Sequence, residues 1–267
     1  MKTISQVFKT LKKQNRRALI PYITAGDPDL DITAKLIFTI SESGGDILEL
    51  GVPFSDPLAD GPTIQAASQR ALKSGATLKG ILEMVKEIRH KTDIPLVLMS
   101  YYNPLRQYGL ENLGKDAAKA GINGFIVPDL TPEEATDWIK VCRHYSLDTI
   151  FLIAPTTSLN RARKIAQISQ GFIYYISVTG VTGARESLPQ DIIENLKQLK
   201  KITAKPIAVG FGISSPNHVK MLVPYTDGIV VGSAIVKLIG ETQGSSQKIC
   251  SKVGKFIKSL SEATFIS

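Results

Sequence analysis

The 267-residue sequence predicts an α/β protein of the TIM (β/α)8 barrel class. Short apolar runs rich in Val, Ile and Leu recur along the chain, amphipathic helical patterns fill the gaps, and the alternation repeats eight times. Strand alternating with helix means βαβ units and a parallel sheet. Eight units in roughly 250 residues is the size of one closed barrel. A doubly wound sheet is the rival architecture, but it normally stops short of eight strands and carries its glycine fingerprint after the first. No G-x-G-x-x-G follows the first strand here. No linker-like or low-complexity stretch interrupts the pattern, so residues 1–267 are read as a single domain.

The chain opens on a helix that precedes the barrel. Ile4, Val7, Phe8 and Leu11 fall at i, i+3, i+4 and i+7 and make one apolar stripe. The segment has no apolar signal core and no small-residue cleavage site, which removes a secretory leader. A transit peptide shares the amphipathic pattern, but the first strand begins at about Ala18 and leaves no length to remove. The helix is therefore expected to cover part of a core.

The eight strands follow as 18–26, 46–51, 95–101, 124–129, 148–155, 172–178, 206–212 and 228–233. Most are continuous apolar runs, as strands covered on both faces require. Helical patterns lie between them, for example 76–91 before the third strand and 188–202 before the seventh. A short apolar helix follows the eighth. Cys142 and Cys250 are too few and too far apart for a disulfide framework, and none of the three histidines, His90, His144 and His218, has metal-ligand spacing. No resident metal is expected, and a reducing compartment is.

The net charge of +8 needs its distribution before it can suggest a partner. Residues 1–17 carry six basic side chains and no acid; residues 240–267 carry four lysines against two glutamates; the 222 residues between sum to zero. A nucleic-acid groove would need the excess along one face of the body, among base-reading groups. No nucleic-acid or membrane partner is expected: no apolar run approaches the length of a membrane span.

In a barrel the site lies at the C-terminal ends of the strands. Glu49 shares one face of the second strand with Ile47, while Leu48 and Leu50 take the other. With the leucines toward the helices, Glu49 points into the mouth, where desolvation raises its pKa and lets it donate and accept a proton near neutrality. The alternatives are a carboxylate paired with a buried cation or capping a loop. The loop that follows, PFSDPLADGP, is pre-shaped by three prolines and a glycine, and it brings Asp60 back toward the mouth. Two carboxylates there can split their roles, one cycling a proton and one staying ionised. Asp56, between Ser and Pro, is explained by a turn or a partner contact.

Strands six, seven and eight each end in glycine: Gly180 and Gly183 around Thr182, Gly210 and Gly212, and Gly232 with Ser233 at the start of the short helix. Such loops let backbone N–H groups approach an anion, and the helix N-terminus adds its dipole. A phosphate site is expected there. Tyr22, Tyr101, Tyr102, Phe125, Tyr174 and Phe211 fall at or near strand ends, where some would line an apolar pocket and others fill the core. Trp138, within a capped helix, is read as packing.

The strings YITAGDPD, LELGVPFSDPLADGP, MSYYNP, VPDL, GVTGAR, GFGISSP and VGSAIVK together resemble the α subunit of tryptophan synthase over about residues 1–260. The resemblance implies a lyase that splits indole-3-glycerol phosphate into indole and glyceraldehyde 3-phosphate. It assigns Glu49 to protonation of indole C3 and to removal of the glycerol hydroxyl proton, and Asp60 to the indole N–H. Gly183, Gly212, Gly232 and Ser233 match the phosphate cradle. Tyr174 and Thr182 match a closing loop, and Tyr22, Ser100, Tyr102, Ile126, Ile153 and Phe211 the pocket wall. Tyr22 stands where Phe is usual, and Pro128 at a position more often small. The resemblance also implies a pyridoxal-phosphate β subunit that receives the indole in an αββα complex, with no cofactor in this chain. Docking would use segments near Asp56, YYNPLRQYG and Pro132. The compartment implied is the cytoplasm or an organelle stroma.

Overall fold

Apolar periodicity sets which side of each element is covered, and the computed structural model, which describes residues 1–176, 190–210 and 212–266, follows it closely. The elements run α1 (Ile4–Lys13), β1 (Ala18–Thr24), α2 (Leu30–Glu42), β2 (Leu48–Gly51), α3 (Pro62–Lys73), α4 (Leu78–Ile88), β3 (Leu96–Met99), α5 (Tyr102–Tyr108) and α6 (Leu110–Ala120). They continue with β4 (Gly124–Ile126), α7 (Thr136–His144), β5 (Asp148–Ile150), β6 (Leu152–Ile153), α8 (Leu159–Ile168), β7 (Ile173–Ile176) and α9 (Gln190–Ile202). The chain closes with β8 (Ile207–Gly210), α10 (Pro216–Leu222), β9 (Gly228–Val231), α11 (Ser233–Glu241) and α12 (Ser246–Glu262).

All strand pairs are parallel, in the order β5-β4-β3-β2-β1-β9-β8-β7-β6. The predicted fifth strand is the seam. Its first half, β5, pairs with β4, and its second half, β6, pairs with β7. At the step between them the Tyr174 N–H donates to the Phe151 carbonyl at 3.1 Å. One continuous apolar run thus serves both edges and closes the ring, the architecture of a TIM barrel.

Two cores follow from period-two alternation. Leu48, Leu50, Leu96, Leu98, Phe125, Ile173, Tyr175, Val209 and Val231 face outward into the helix layer. Ile20, Ile47, Val97, Ile126, Ile150, Phe172, Ala208 and Val230 fill the interior, and Ile4, Val7, Phe8 and Leu11 of α1 join them. The N-terminal helix therefore plugs the barrel at the start of its strands; covering each such side chain stabilises by roughly 1.5–3 kcal/mol. Thr3 caps it, accepting from the Gln6 N–H while the Gln6 side chain accepts from the Thr3 N–H. With that end of the interior sealed by α1, the barrel's interior opens at the C-terminal ends of its strands. No helix among the described residues is long and apolar enough to cross a membrane.

Candidate active site

At the open end, a cavity of about 160 Å³ is walled by Tyr22 of β1, Glu49 of β2, Met99 of β3, Tyr174 of β7 and Val230 of β9. Asp60, Ile64, Gly210, Gly212, Ile213, Gly232 and Ser233 complete its wall from the loops and helices above. Glu49 faces inward, as strand parity requires, and is completely buried. Neither carboxylate oxygen has a hydrogen-bond partner among the described residues. Burial alone raises its pKa from the ordinary 4.5 to about 8. Among the described residues no buried cation or loop donor claims it, so the acid is poised to give and take a proton near neutrality.

The loop after β2 returns Asp60 to this cavity, as its breakers predict. The Asp60 N–H donates to the Pro57 carbonyl at 3.1 Å and Gly61 starts α3 with Pro62 at its first position. Burial raises the Asp60 pKa above the ordinary carboxylate value, and a hydrogen bond from Tyr101 offsets only part of that rise. Tyr101 also ties the loop down. Its hydroxyl accepts from the Ala59 N–H at 2.8 Å, and its ring packs on Phe54 with centroids 5.3 Å apart.

Two glycines leave room for the two phenols of the cavity. A Cβ on Gly51 would lie 2.0 Å from the Tyr22 hydroxyl, and one on Gly210 would lie 2.6 Å from the Tyr174 hydroxyl. Gly212 has φ +59°, a conformation that favours glycine, at the turn leaving β8. Gly232 precedes α11 and Ser233 is its first residue, so the positive end of that short helix opens on the cavity.

The remaining expected residues divide. Ile126 faces the barrel interior. Tyr174 belongs to the wall, within β7, and not to a loop. Ser100, Tyr102 and Ile153 lie one residue out of phase with the mouth. Ile153 aligns with outward-facing Tyr175 and packs in the helix-side core, whereas its neighbour Leu152 faces in. Ser100 donates to the Tyr101 carbonyl at 3.0 Å. Tyr102 opens α5, where its N–H donates to Asp129, and its ring packs on the helix-side core. Phe125 faces outward against Trp138 at 4.9 Å between centroids. Thr182, Gly183 and Phe211 lie outside the described residues. Sequence reading had not singled out Met99, Ile64, Ile213 or Val230; the parity that found Glu49 would have found Met99 and Val230. Among the described residues no cluster of His, Cys, Asp and Glu is arranged to hold a metal.

Residues 8–264 match the family model for the tryptophan synthase alpha chain. The chain belongs to that family. It is 48% identical over 260 residues to the tryptophan synthase alpha chain of Geotalea uraniireducens, covering 97% of each chain. It is 47% identical to that of Geobacter sulfurreducens over 263 residues, covering 98% of this chain and 99% of the relative. Among solved structures, the tryptophan synthase subunit alpha of Legionella pneumophila superposes with a TM-score of 0.90 at 35% identity, over 99% of this chain and 98% of the other. Tryptophan synthase of Mycobacterium tuberculosis gives 0.89 at 35% identity, with coverage of 99% and 98%. A tryptophan synthase alpha chain is an enzyme subunit of tryptophan biosynthesis, and it implies a beta chain as partner. The expected family and barrel are both correct.

Proposed function

We propose that this chain cleaves indole-3-glycerol phosphate by a retro-aldol reaction. Glu49 adds a proton to indole C3, which turns the ring into an electron sink. Loss of the proton from the adjacent glycerol hydroxyl forms the carbonyl of glyceraldehyde 3-phosphate. The carbon–carbon bond breaks, and its electron pair returns to the ring to release indole. Asp60, ionised, accepts the indole N–H and stabilises the positive charge that develops. Gly212, Gly232 and Ser233, with Gly183, hold the phosphate through backbone N–H groups and the α11 dipole. Because protonated indole is itself the sink, this reading gives the chain no cofactor; pyridoxal phosphate belongs to the beta chain, which takes up the indole in an αββα assembly. The reading places the protein in the cytoplasm.

The observation that carries the reading is Glu49: a fully buried carboxyl on the wall of the mouth cavity, with no partner for either oxygen among the described residues. The test is indole release by the purified chain, with and without a beta chain. Glu49→Gln keeps the shape and removes the proton, and it should lower the rate by about 10²-fold or more. Substantial residual turnover, or product without indole, would overturn the assignment.

A further inference from the structure

A second cavity, of about 840 Å³ and larger than the mouth cavity, lies at the opposite end of the barrel. Its wall includes residues just before strands: Arg16 and Arg17 before β1, Gly171 before β7, Pro206 before β8 and Asp227 before β9. It opens between α1, α8 and the turn from α9 to β8, with Phe8, Ala166, Ile202 and Pro206 forming an apolar floor. Among the described residues six basic side chains line it against a single acid, Asp227.

The charges in this cleft are not equivalent. Arg16 is neutralised by a bidentate contact to Asp46, 2.9 Å on each arm. Arg17 and Lys200 share Asp227, at 3.7 and 3.3 Å. Lys205 donates to the carbonyls of Gln167 and Ser169, which are dipoles and not counter-charges. Burial, and then the neighbouring Arg143, hold its pKa below the ordinary lysine value. Lys9 and Lys12 on α1 and Arg163 on α8 are exposed and meet no carboxylate among the described residues. Among the described residues four cations therefore face one concave space without a compensating acid.

Part of the sequence's charge excess falls here, since Lys9 and Lys12 belong to the N-terminal segment that carries six basic side chains and no acid. Like charges held together repel, and an anion placed among them removes that cost. Several anionic groups are needed to meet four cations, and the floor offers apolar contact to the rest of the ligand. The volume suits a nucleotide, within the roughly 300–1,000 Å³ usual for small-molecule sites. A nucleic-acid strand would instead need a stripe along the body and exposed stacking aromatics; here the body is neutral and Phe8 is buried in the floor.

We propose that this cleft binds a nucleoside polyphosphate, its phosphates among Lys9, Lys12, Arg163 and Lys205 and its base and sugar over the Phe8–Pro206 floor. The test is calorimetric titration of the full chain with ATP near physiological salt, beside inorganic tripolyphosphate and a short single-stranded RNA. Saturable one-site ATP binding is expected, weakened at least about tenfold in a K9A/K12A/R163A variant and about tenfold tighter than tripolyphosphate. Indole release by that variant should match the parent, because none of the three residues lies near the mouth, and saturating glycerol phosphate should leave ATP binding unchanged. ATP that fails to bind, binds the variant equally, or is displaced by glycerol phosphate would overturn the site. Tripolyphosphate binding as tightly as ATP would overturn the nucleoside assignment, as would RNA binding more tightly.

Discussion

Tyr22 and Glu49 stand opposite one another in the register of β1 and β2, and both line the mouth cavity. The phenol could have satisfied the carboxylate, yet its hydroxyl lies 3.4 Å from Thr24 Oγ1 and both Glu49 oxygens stay unpartnered among the described residues. Among the described residues the barrel thus retains a costly, uncompensated acid where a hydrogen bond was within the menu of nearby groups. A proton-transfer site has a use for that cost: the neutral form is held until the substrate arrives.

The cost should be visible in stability. The folded chain keeps the Glu49 proton up to about pH 8, while an unfolded glutamate releases it near 4.5. Between those values the native state binds more protons than the unfolded state, so stability falls as pH rises through the window. Glu49→Gln lacks the titration. Its unfolding free energy relative to the parent, from denaturant curves, should therefore climb from pH 4.5 to 8 and then level off, by an amount on the order of several kcal/mol. A parent–variant difference flat with pH would show that Glu49 is not held neutral.

Gly210 and Tyr174 offer a test of the cavity's packing. A methyl group at Gly210 would sit 2.6 Å from the Tyr174 hydroxyl and 3.0 Å from the ring carbon that bears it. Gly210→Ala should cost about 1–3 kcal/mol by overpacking. Adding Tyr174→Phe removes the nearer atom and should recover part of that loss, seen as non-additivity in thermal melts. Gly51→Ala should not be rescued by Tyr22→Phe, because two ring carbons would still lie within 2.5 and 2.8 Å.

Strand parity explains what could and could not be read without coordinates. Glu49 was legible because Leu48 and Leu50 bracket it, and the same counting points Met99 inward beside Leu98. Ser100, Tyr102 and Ile153 came instead from matching a family pattern, and each lands one position from an inward or mouth-facing neighbour: Met99 or Tyr101 for the first two, Leu152 for the third. The α1 stripe announced a covered face, but nothing in it said that the face would seal the barrel floor. The seam at Phe151 was hidden for a different reason. A run that pairs with β4 and then β7 is as apolar throughout as one that pairs with a single set of neighbours, so handover leaves no mark in hydrophobicity. Arg17, Lys200 and Asp227 meet only because β1, α9 and β9 converge, a long-range fact that spacing does not carry.

Tyr101 should set the acid side of the rate profile. Its hydrogen bond lowers an Asp60 pKa that burial otherwise raises. Tyr101→Phe removes the lowering, so Asp60 stays protonated to higher pH. If the ionised form stabilises the indolium, the acid limb of kcat/KM for indole release should move upward in pH, and the difference from the parent should narrow well above it. A uniform loss across the profile would assign Tyr101 to holding the loop through Ala59 and not to tuning Asp60.

Asp27 and Arg70 connect the mouth to its supports. Asp27 is 2% exposed and accepts two hydrogen bonds from Arg70, at 2.7 and 2.8 Å. Arg70 lies on α3, the helix that presents Ile64 to the cavity, and its guanidinium passes over Gly240 of α11, where a Cβ would come within 2.7 Å. Arg70→Met would strand a buried carboxylate. A fully buried pair broken this way loses roughly 3–5 kcal/mol; with Arg70 40% exposed, water reaches the pair and about 2 kcal/mol is the expected loss. Because α11 starts at Ser233, loosening this clamp should also raise KM for the phosphate substrate more than it lowers kcat. Arg70→Lys restores the charge without the fork and should recover only part of either effect. Equal changes in KM and kcat, or full rescue by lysine, would show that the bidentate geometry does not hold α11 in place.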